Sequence, residues 1–207
     1  MNDRLLSRQQ LRKLIRTKRN ALDREFQHLA SGQLLKQLTE HPRFAIANTV
    51  ALYLANDGEL DLSPIVKWCW QQGKRVYLPI LHPFSANHLL FTLYRSDQKM
   101  VANKFGILEP RLNKAELIPI KELDIICTPL VAFDHTGARL GMGGGFYDRT
   151  LAPIYDTFDT PSQSASKQTT PYLIGLAHDC QQIAKVPTES WDIPIPEIIT
   201  PTQRIIC

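Results

Sequence analysis

Apolar and polar positions follow a helical period in three parts of the chain. Residues 4–40 predict helix, because charged positions alternate with an apolar stripe at the spacing of one helical face. That stripe consists of Leu11, Leu14, Ile15 and Leu22. Residues 63–73 predict a second helix, with an N-cap serine, a proline in the first turn and a glycine at the end. Residues 148–156 predict a further helix that a proline breaks.

Shorter runs rich in β-branched and aromatic residues predict strands. They lie at 49–56, 75–80, 88–95, 123–133 and 172–177. The run 123–133 has almost no polar position, so we expect it to be a buried central strand. Because strands alternate with helices, the predicted fold class is α/β, a layered α/β/α arrangement with a mostly parallel central sheet.

The length of the chain favours one domain. With 207 residues, 43% of them hydrophobic, the chain can bury one core, whereas two full domains would be cramped. We therefore predict a single domain over residues 1–207, with a helical N-terminal segment over 1–40. The segment 160–171 is polar and poor in apolar residues, which predicts a solvated, disordered loop over 157–171.

Composition excludes several classes of protein. No stretch approaches the ~18 consecutive apolar residues of a membrane span, and the charged N-terminus lacks the apolar core of a signal peptide. The four cysteines form no CxxC pair, which favours reduced thiols in the cytoplasm over a zinc knuckle or a disulfide framework. The net charge of +4 suits a small anionic ligand and only weakly indicates nucleic-acid binding. We therefore expect a cytoplasmic protein without membrane or nucleic-acid partners.

The stretch RLGMGGGFYDR (139–149) concentrates four of the ten glycines of the chain. Glycine lets the backbone approach a ligand closely, and a loop before a helix can direct its N–H groups at an anion. The stretch matches neither a Walker A loop nor a dinucleotide fingerprint, which would need glycine where Phe146 stands. The glycines alone equally allow a tight turn with Phe146 and Tyr147 packed in the core.

Charged neighbours favour an anion site. Arg139 can form a forked contact with phosphate oxygens, and Asp148 offers the hard oxygen ligand that Mg²⁺ prefers. A second basic feature is a stripe of arginines on the N-terminal helix. It consists of Arg4, Arg8, Arg12, Arg16 and Arg19. The stripe lies beside the apolar stripe, so some guanidinium groups can be held at the edge of the domain, while for most of them a solvated face is expected.

The stretch 139–149 resembles the RLG-x-G-x-G-[YF]-YD signature of the 5-formyltetrahydrofolate cyclo-ligases (methenyltetrahydrofolate synthetases). Other segments are similar to segments of that family along the whole chain. They are RQQLR (8–12), LANDGELD (54–61), FGILEP (105–110), LDIICTPLVAFDHTGARLG (123–141) and VPTESWDIPIPEIIT (186–200). The resemblance implies ATP-dependent closure of 5-formyltetrahydrofolate to 5,10-methenyltetrahydrofolate, with Mg²⁺ as cofactor and ATP as co-substrate.

The resemblance also implies site residues. The implied ATP contacts are Arg8, Arg12, Arg139, Leu140, Gly141, Met142, Gly143, Gly144, Gly145, Phe146 and Tyr147. The implied folate contacts are Leu54, Glu59, Phe105, Met142, Gly143, Gly144, Gly145 and Phe146. Glu59 would accept the N–H donors of the pterin, and Asp148 and Asp192 would be the Mg²⁺ ligands. No covalent catalytic residue is implied, and a monomer is expected.

Two departures from the family pattern affect the expected contacts. Met142 stands where members often carry tyrosine or arginine, and Phe146 replaces a frequent tyrosine. Gly144 stands where some members have lysine, which leaves arginines to neutralise phosphate. Two alternatives remain open at this point: another small-molecule ATP-dependent ligase on the same scaffold, and a regulatory module whose N-terminal helix faces RNA.

Overall fold

The computed structural model describes residues 6–155 and 170–207. The helices within these residues are α1 (Arg8–Asn20), α2 (Arg24–Thr39), α3 (Pro42–Ile46), α4 (Ser63–Gln71) and α5 (Phe146–Tyr155). The strands are β1 (Thr49–Ala51), β2 (Arg75–Leu81), β3 (Leu89–Leu93), β4 (Met100–Ala102), β5 (Leu108–Pro110), β6 (Leu117–Ile118), β7 (Ile125–Pro129), β8 (Ala132–Phe133), β9 (Arg139–Leu140), β10 (Tyr172–Leu176), β11 (Glu197–Ile199) and β12 (Arg204–Ile206).

Eight strands form the central sheet, in the order β12-β11-β10-β7-β1-β2-β3-β6. The inner strands β11, β10, β7, β1 and β2 run parallel, and the edge strands pair antiparallel. In the middle of the sheet Val50 lies opposite Val76 on one side and Ile125 on the other. The prediction of an α/β fold with a mostly parallel central sheet is confirmed.

Side chains of the central strands alternate between two apolar clusters, because successive residues of a strand point to opposite faces. Val50, Val76, Leu78 and Ile125 pack on the side of α2, α3 and α4. Ala51, Tyr77, Ile126 and Leu173 pack on the other side with Leu151 and Ile154 of α5. Helices therefore cover both faces of the sheet. None of the described helices combines the length and the apolar character needed to cross a bilayer.

The N-terminal helical segment consists of two helices rather than one. Asp23 separates them, because its side chain accepts a hydrogen bond from the Phe26 N–H at 2.8 Å and caps α2. On α1 only part of the predicted apolar stripe is buried: Leu11 and Ile15 pack on the β8–β9 hairpin, whereas Leu14 is exposed. α1 thus rests on the hairpin that leads into the glycine stretch.

Two predicted strands are interrupted in the structure. The run 49–56 forms β1 for three residues only, after which the chain leaves the sheet. The run 123–133 divides into β7, a buried central strand as predicted, and β8, which pairs with β9 in a separate two-stranded sheet. The strands predicted at 75–80, 88–95 and 172–177 are confirmed as β2, β3 and β10.

Helix ends differ from the predictions in two places. Ser63 is the first residue of α4 and not its N-cap; its N–H and hydroxyl both donate to the Asp61 carboxylate. The helix predicted from Asp148 begins at Phe146 and continues through Pro153 without a break. The predicted loop over 157–171 lies outside the described residues, except for its last two positions.

Candidate active site

A cavity of about 490 Å³ opens where three segments meet. These are the chain that leaves the sheet after β1, the β4–β5 hairpin, and the loop between β9 and α5. The cavity is lined by most of the predicted site residues: Leu54, Glu59, Phe105, Arg139, Gly141, Met142, Gly144, Gly145, Phe146, Tyr147 and Asp148. The glycine stretch therefore borders an open cleft, and Phe146 and Tyr147 form part of its wall instead of closing it.

Some predicted residues lie beside the cavity. Arg12 extends from α1 to the glycine loop, where its Nε donates to the Gly141 carbonyl at 2.7 Å. Gly143 lies against the Arg12 guanidinium, so that a Cβ at this position would be 3.4 Å from Arg12 Cζ. The Leu140 side chain is fully buried in the cluster under α1, which leaves only its backbone to meet a ligand.

The conformation of the loop depends on glycine at Gly143 and Gly145. Their φ angles are +102° and +65°, a region that side-chain-bearing residues rarely adopt. A Cβ at Gly145 would lie 2.5 Å from an Arg149 nitrogen, so the Arg149 side chain would have to move to admit it. The close backbone approach that the sequence predicts is therefore a property of this loop.

Arg139 is a nearly buried cation with unused donors. Only 4% of the residue is exposed, and its Nη2 donates to Asp148 Oδ1 at 2.6 Å. Its buried Nε–H has no hydrogen-bond acceptor among the described residues. Burial lowers the pKa of Arg139, although the nearby Asp148 carboxylate opposes that effect. A buried charged donor without a partner is costly, and an anion in the cavity would satisfy it.

Asp148 and Asp192 lie next to one another. Asp148 Oδ1 accepts the backbone N–H of Ile193 at 3.3 Å, which brings it beside the residue that precedes Ile193. Asp192 accepts both guanidinium N–H groups of Arg8. Burial alone would raise the pKa of Asp192, but hydrogen bonds from Arg8 and from the Glu189 N–H hold it below its ordinary value.

Asp148 fits Mg²⁺, whereas both oxygens of Asp192 accept hydrogen bonds from Arg8, which Mg²⁺ would have to replace. Carboxylate oxygens are hard ligands, and Mg²⁺ usually takes only one or two of them from the protein, with water and phosphate oxygens completing its shell. Asp148 Oδ2 accepts no hydrogen bond from the described residues and is free to serve as a ligand. No group of three or more His, Cys, Asp or Glu residues suited to a metal occurs in the described part of the chain.

Glu59 is a largely buried carboxylate in another part of the cavity wall. Only 13% of its side chain is exposed, and burial raises its pKa to about 7. Arg19 and the Asn56 N–H counteract part of that increase. Oε2 accepts the Asn56 N–H at 3.1 Å, while Oε1 accepts no hydrogen bond from the described residues. The Glu59 carboxylate is therefore available to a ligand with N–H donors.

Aromatic and apolar groups form the rest of the wall. The Phe105 ring meets the Phe146 ring edge to face, with centroids 5.8 Å apart. Leu54 lines the same cavity, and Met142 is about half exposed at its rim. A cleft with an apolar wall beside the Glu59 carboxylate suits a flat, nitrogen-rich ring.

Most arginines of the stripe were expected on a solvated face. Arg16 keeps 43% of its side chain exposed, whereas Arg8 and Arg12 are partly buried and Arg19 is buried; Arg4 lies outside the described residues. Arg8 pairs with Asp192, Arg16 pairs with Asp57, and Arg19 is completely buried. Neither Arg19 nor its partner Asp57 is among the site residues that the sequence implies, although Arg19 belongs to the arginine stripe. The only available signal was the position of Arg19 on the same helical face as Arg8 and Arg12.

Comparisons with known proteins identify one family. The model of the 5-formyltetrahydrofolate cyclo-ligase family matches residues 4–201. The 5-formyltetrahydrofolate cyclo-ligase of Escherichia coli K12 is 45% identical over 190 residues, which cover 92% of this chain and 98% of the relative. The cyclo-ligase of Haemophilus influenzae is 44% identical over 192 residues, covering 93% and 96%.

A solved structure gives the same result for the fold. The 5,10-methenyltetrahydrofolate synthetase of Aquifex aeolicus superimposes with a TM-score of 0.78 at 28% identity, covering 97% of this chain and 93% of that one. The sequence match extends over nearly the whole chain, and the fold match covers the same extent. This chain therefore belongs to the 5-formyltetrahydrofolate cyclo-ligase family, a family of ligases.

Proposed function

We propose that this protein converts 5-formyltetrahydrofolate to 5,10-methenyltetrahydrofolate, with cleavage of ATP to ADP and phosphate and with Mg²⁺ as cofactor. The observation that carries the proposal is the chemistry of one cavity wall. A buried arginine with an unpaired donor stands beside a glycine loop, and the same cavity holds a buried carboxylate. The first group suits a phosphate chain, and the second suits the N–H donors of a pterin.

The proposed reaction overcomes a poor leaving group. The formyl oxygen of the substrate attacks the γ-phosphorus of ATP, the bond from that phosphorus to the bridging oxygen breaks, and ADP leaves. Nitrogen 10 of the folate then attacks the activated formyl carbon, closes the ring and releases its proton to solvent, after which the carbon–oxygen bond breaks and phosphate departs. The protein needs no nucleophile for these steps, because positioning and electrostatic stabilisation carry them.

Three arginines are proposed to hold the nucleotide. Arg139 offers its unpaired Nε–H, and Arg12 keeps the loop carbonyl of Gly141 turned toward α1. Arg8 adds positive charge beside Asp192. Mg²⁺, held by Asp148 and Asp192, would neutralise phosphate charge. The loop from Leu140 to Tyr147 would then wrap the phosphates with backbone N–H groups, which a glycine-rich loop leaves accessible.

The folate is proposed to lie across the apolar part of the cavity. Phe105, Phe146 and Leu54 would cover the faces of the pterin, and Glu59 would accept its ring N–H and amino donors. Met142 would contribute an apolar contact where other members of the family present a polar one. The RNA-facing alternative has no comparable support, because Arg8, Arg12 and Arg19 are engaged inside the protein.

The purified protein tests the proposal directly. We expect the absorbance of the methenyl product to rise when 5-formyltetrahydrofolate, ATP and Mg²⁺ are all present. Omission of ATP, or addition of EDTA, is expected to abolish the rise, and excess Mg²⁺ is expected to restore it after EDTA. Folate-dependent release of ADP should match the amount of product. If no ATP-dependent change in absorbance develops at any pH, the proposal is wrong.

Replacement of Gly143 by valine is expected to weaken ATP binding at least about tenfold. A β-branched residue at φ +102° is strained, and its side chain would displace the Arg12 guanidinium from the loop. Isothermal titration of ATP into the variant measures the effect. Gly73→Val is the matched control, because Gly73 has a similar φ of +69° with no atom within 4 Å of an added Cβ. Equal ATP affinity in the two variants would contradict the phosphate-loop assignment.

A further inference from the structure

Arg19 is the most deeply buried cation among the described residues. Its exposure is 0%, and its guanidinium makes contacts in three directions. Nε donates to the Asp57 carbonyl at 2.8 Å, Nη2 to the Asp57 carboxylate at 2.9 Å, and Nη1 to the Leu130 carbonyl at 3.3 Å. An arginine held this way connects α1 to the turn after β1 and to the chain after β7.

The turn after β1 is fixed by its contacts with α1. Asp57 has a φ of +51° and accepts hydrogen bonds from Arg16, Arg19 and Asn20. The hydrogen bond from Arg16 is the main reason that the pKa of Asp57 is lowered to about 2. Asp57 therefore keeps its negative charge at any ordinary pH. Two residues further along the same turn stands Glu59, whose position therefore depends on the end of α1.

Arg19 also acts on Glu59 through its charge. Nη1 of Arg19 lies 3.8 Å from Glu59 Oε1, close enough for strong electrostatic attraction but too far for a hydrogen bond. The guanidinium is hydrogen-bonded to Asp57 and Leu130 instead, so Oε1 stays open to a ligand. This separation is what a ligand-accepting carboxylate requires: a nearby positive charge that does not occupy its lone pairs.

We propose that Arg19 is a positioning residue, which fixes the Asp57–Glu59 turn on α1 and uses its positive charge to keep the Glu59 carboxylate ready to accept the N–H donors of the folate. The inference rests on the proposed folate site. A purely structural role is the alternative, but a buried ion pair seldom stabilises a fold more than well-packed apolar residues would. Because Arg19 lies beside Glu59, its charge can act on that carboxylate, which a purely structural role would not require.

The other groups that face Glu59 do not supply positive charge. Asp57 is negative, and burial raises the pKa values of Tyr53 and Tyr147, which remain neutral. His178 lies near Arg19, and burial lowers its pKa to about 4, so it is neutral above that pH. Arg19 is thus the cation that acts on Glu59, with the Asn56 N–H as the other group that favours the ionised form.

The test is the pH dependence of 5-formyltetrahydrofolate binding, measured by isothermal titration from pH 5.5 to 9.5. In the unaltered protein, affinity is expected to rise with a midpoint near pH 7, the pKa of Glu59. In Arg19→Met the midpoint is expected to move up by about one pH unit, which weakens binding at pH 7 about fivefold, while at pH 9 most of the affinity returns. Arg19→Lys, which keeps the charge, should return the midpoint part of the way.

A second variant distinguishes an effect of charge on Glu59 from a structural effect of the substitution. Asp57→Asn removes a negative neighbour of Glu59 and frees Arg19 to approach it, so its midpoint is expected below that of the unaltered protein. Arg16→Gln is the control, because it also breaks an ion pair to Asp57 but does not contact Glu59, and its midpoint should not move. A structural role would not shift Arg19→Met and Asp57→Asn in opposite directions.

Failure of the inference differs from failure of the proposed function. If the unaltered protein binds the folate but Arg19→Met and Asp57→Asn keep its midpoint or shift it in the same direction, Arg19 is not a positioning residue for Glu59. If Arg19→Met does not fold, Arg19→Gln replaces it, because the glutamine amide removes the charge but can still donate to a backbone carbonyl of Asp57 or Leu130. If the unaltered protein binds no folate at any pH, the proposed function itself is wrong, and the inference is wrong with it.

Discussion

Replacement of Arg139 by methionine is expected to lower kcat/KM for ATP by roughly 100- to 1000-fold. Methionine preserves much of the apolar stem but removes the unpaired Nε–H and the positive charge beside the glycine loop. Charge-assisted hydrogen bonds to phosphate are among the strongest that a side chain forms, and here they would form in a nearly water-free corner. Steady-state rates at varied ATP, together with the Kd of ATP from titration, measure the effect.

Two further variants make the Arg139 result interpretable. Arg139→Lys keeps the charge but loses the forked geometry, so an intermediate rate is expected. Arg95→Met removes an exposed arginine that pairs with Glu116 away from the cavity, and its rate should equal that of the unaltered protein. Because Arg139→Met also leaves Asp148 without its ion-pair partner, thermal unfolding must show that the variant is folded at the assay temperature. A folded Arg139→Met enzyme with an unchanged kcat/KM would refute the phosphate role.

Replacement of Glu59 by glutamine is expected to weaken folate binding about 100-fold at pH 8, because two charge-assisted hydrogen bonds become neutral or repulsive. The unaltered protein should bind about 30-fold more tightly at pH 8 than at pH 5.5, since a carboxyl with a pKa of about 7 is mostly ionised at the first pH and mostly protonated at the second. In Glu59→Gln this pH dependence should disappear. Equilibrium titration at both pH values measures both effects.

The same substitution is expected to stabilise the fold at pH 8. The pKa of Glu59 is raised by burial, so the folded protein binds more protons than the unfolded chain between pH 4.5 and 7. The free energy of unfolding therefore falls as pH rises through that window and then stays level. Glutamine avoids this loss, which amounts to roughly 3 kcal/mol. Urea unfolding at pH 5 and pH 8 measures it, and Glu122→Gln at an exposed position is the control. A Glu59→Gln protein less stable than the unaltered one at pH 8 would contradict the expected burial cost.

Elements whose residues follow a regular period were predictable from the sequence. The strands β2, β3 and β10 coincide with runs of β-branched and aromatic residues, and the parallel order of the sheet follows from alternation with helices. The place of the glycine loop at a cavity was expected from the flanking charges and the family resemblance, because the four glycines alone equally allowed a tight turn. The burial of Cys127 in β7 agrees with its apolar neighbours.

Features that depend on distant partners were not predictable. Whether Arg19 is solvated or buried is decided by Asp57, which lies 38 residues away in the chain. The end of β1 after Ala51 is not marked by its composition, because the residues that follow are as apolar as the strand but line the cavity. The start of α4 could not be predicted for a local reason. Asp61 and Ser63 are both common cap residues, and only the backbone path decides which side chain accepts a hydrogen bond from the first turn.

α1 contacts both halves of the candidate site. Arg12, near its N-terminus, contacts the glycine loop, and Arg19, near its C-terminus, contacts the turn that carries Glu59. Seven residues of helix advance about 10 Å, and a hydrogen-bonded helix transmits displacement as a rigid rod. A nucleotide that tilts α1 therefore alters folate affinity, and thermodynamic reciprocity demands that the folate alter nucleotide affinity by an equal factor. Cooperativity between the two co-substrates would then originate in one helix rather than in any contact between the bound molecules.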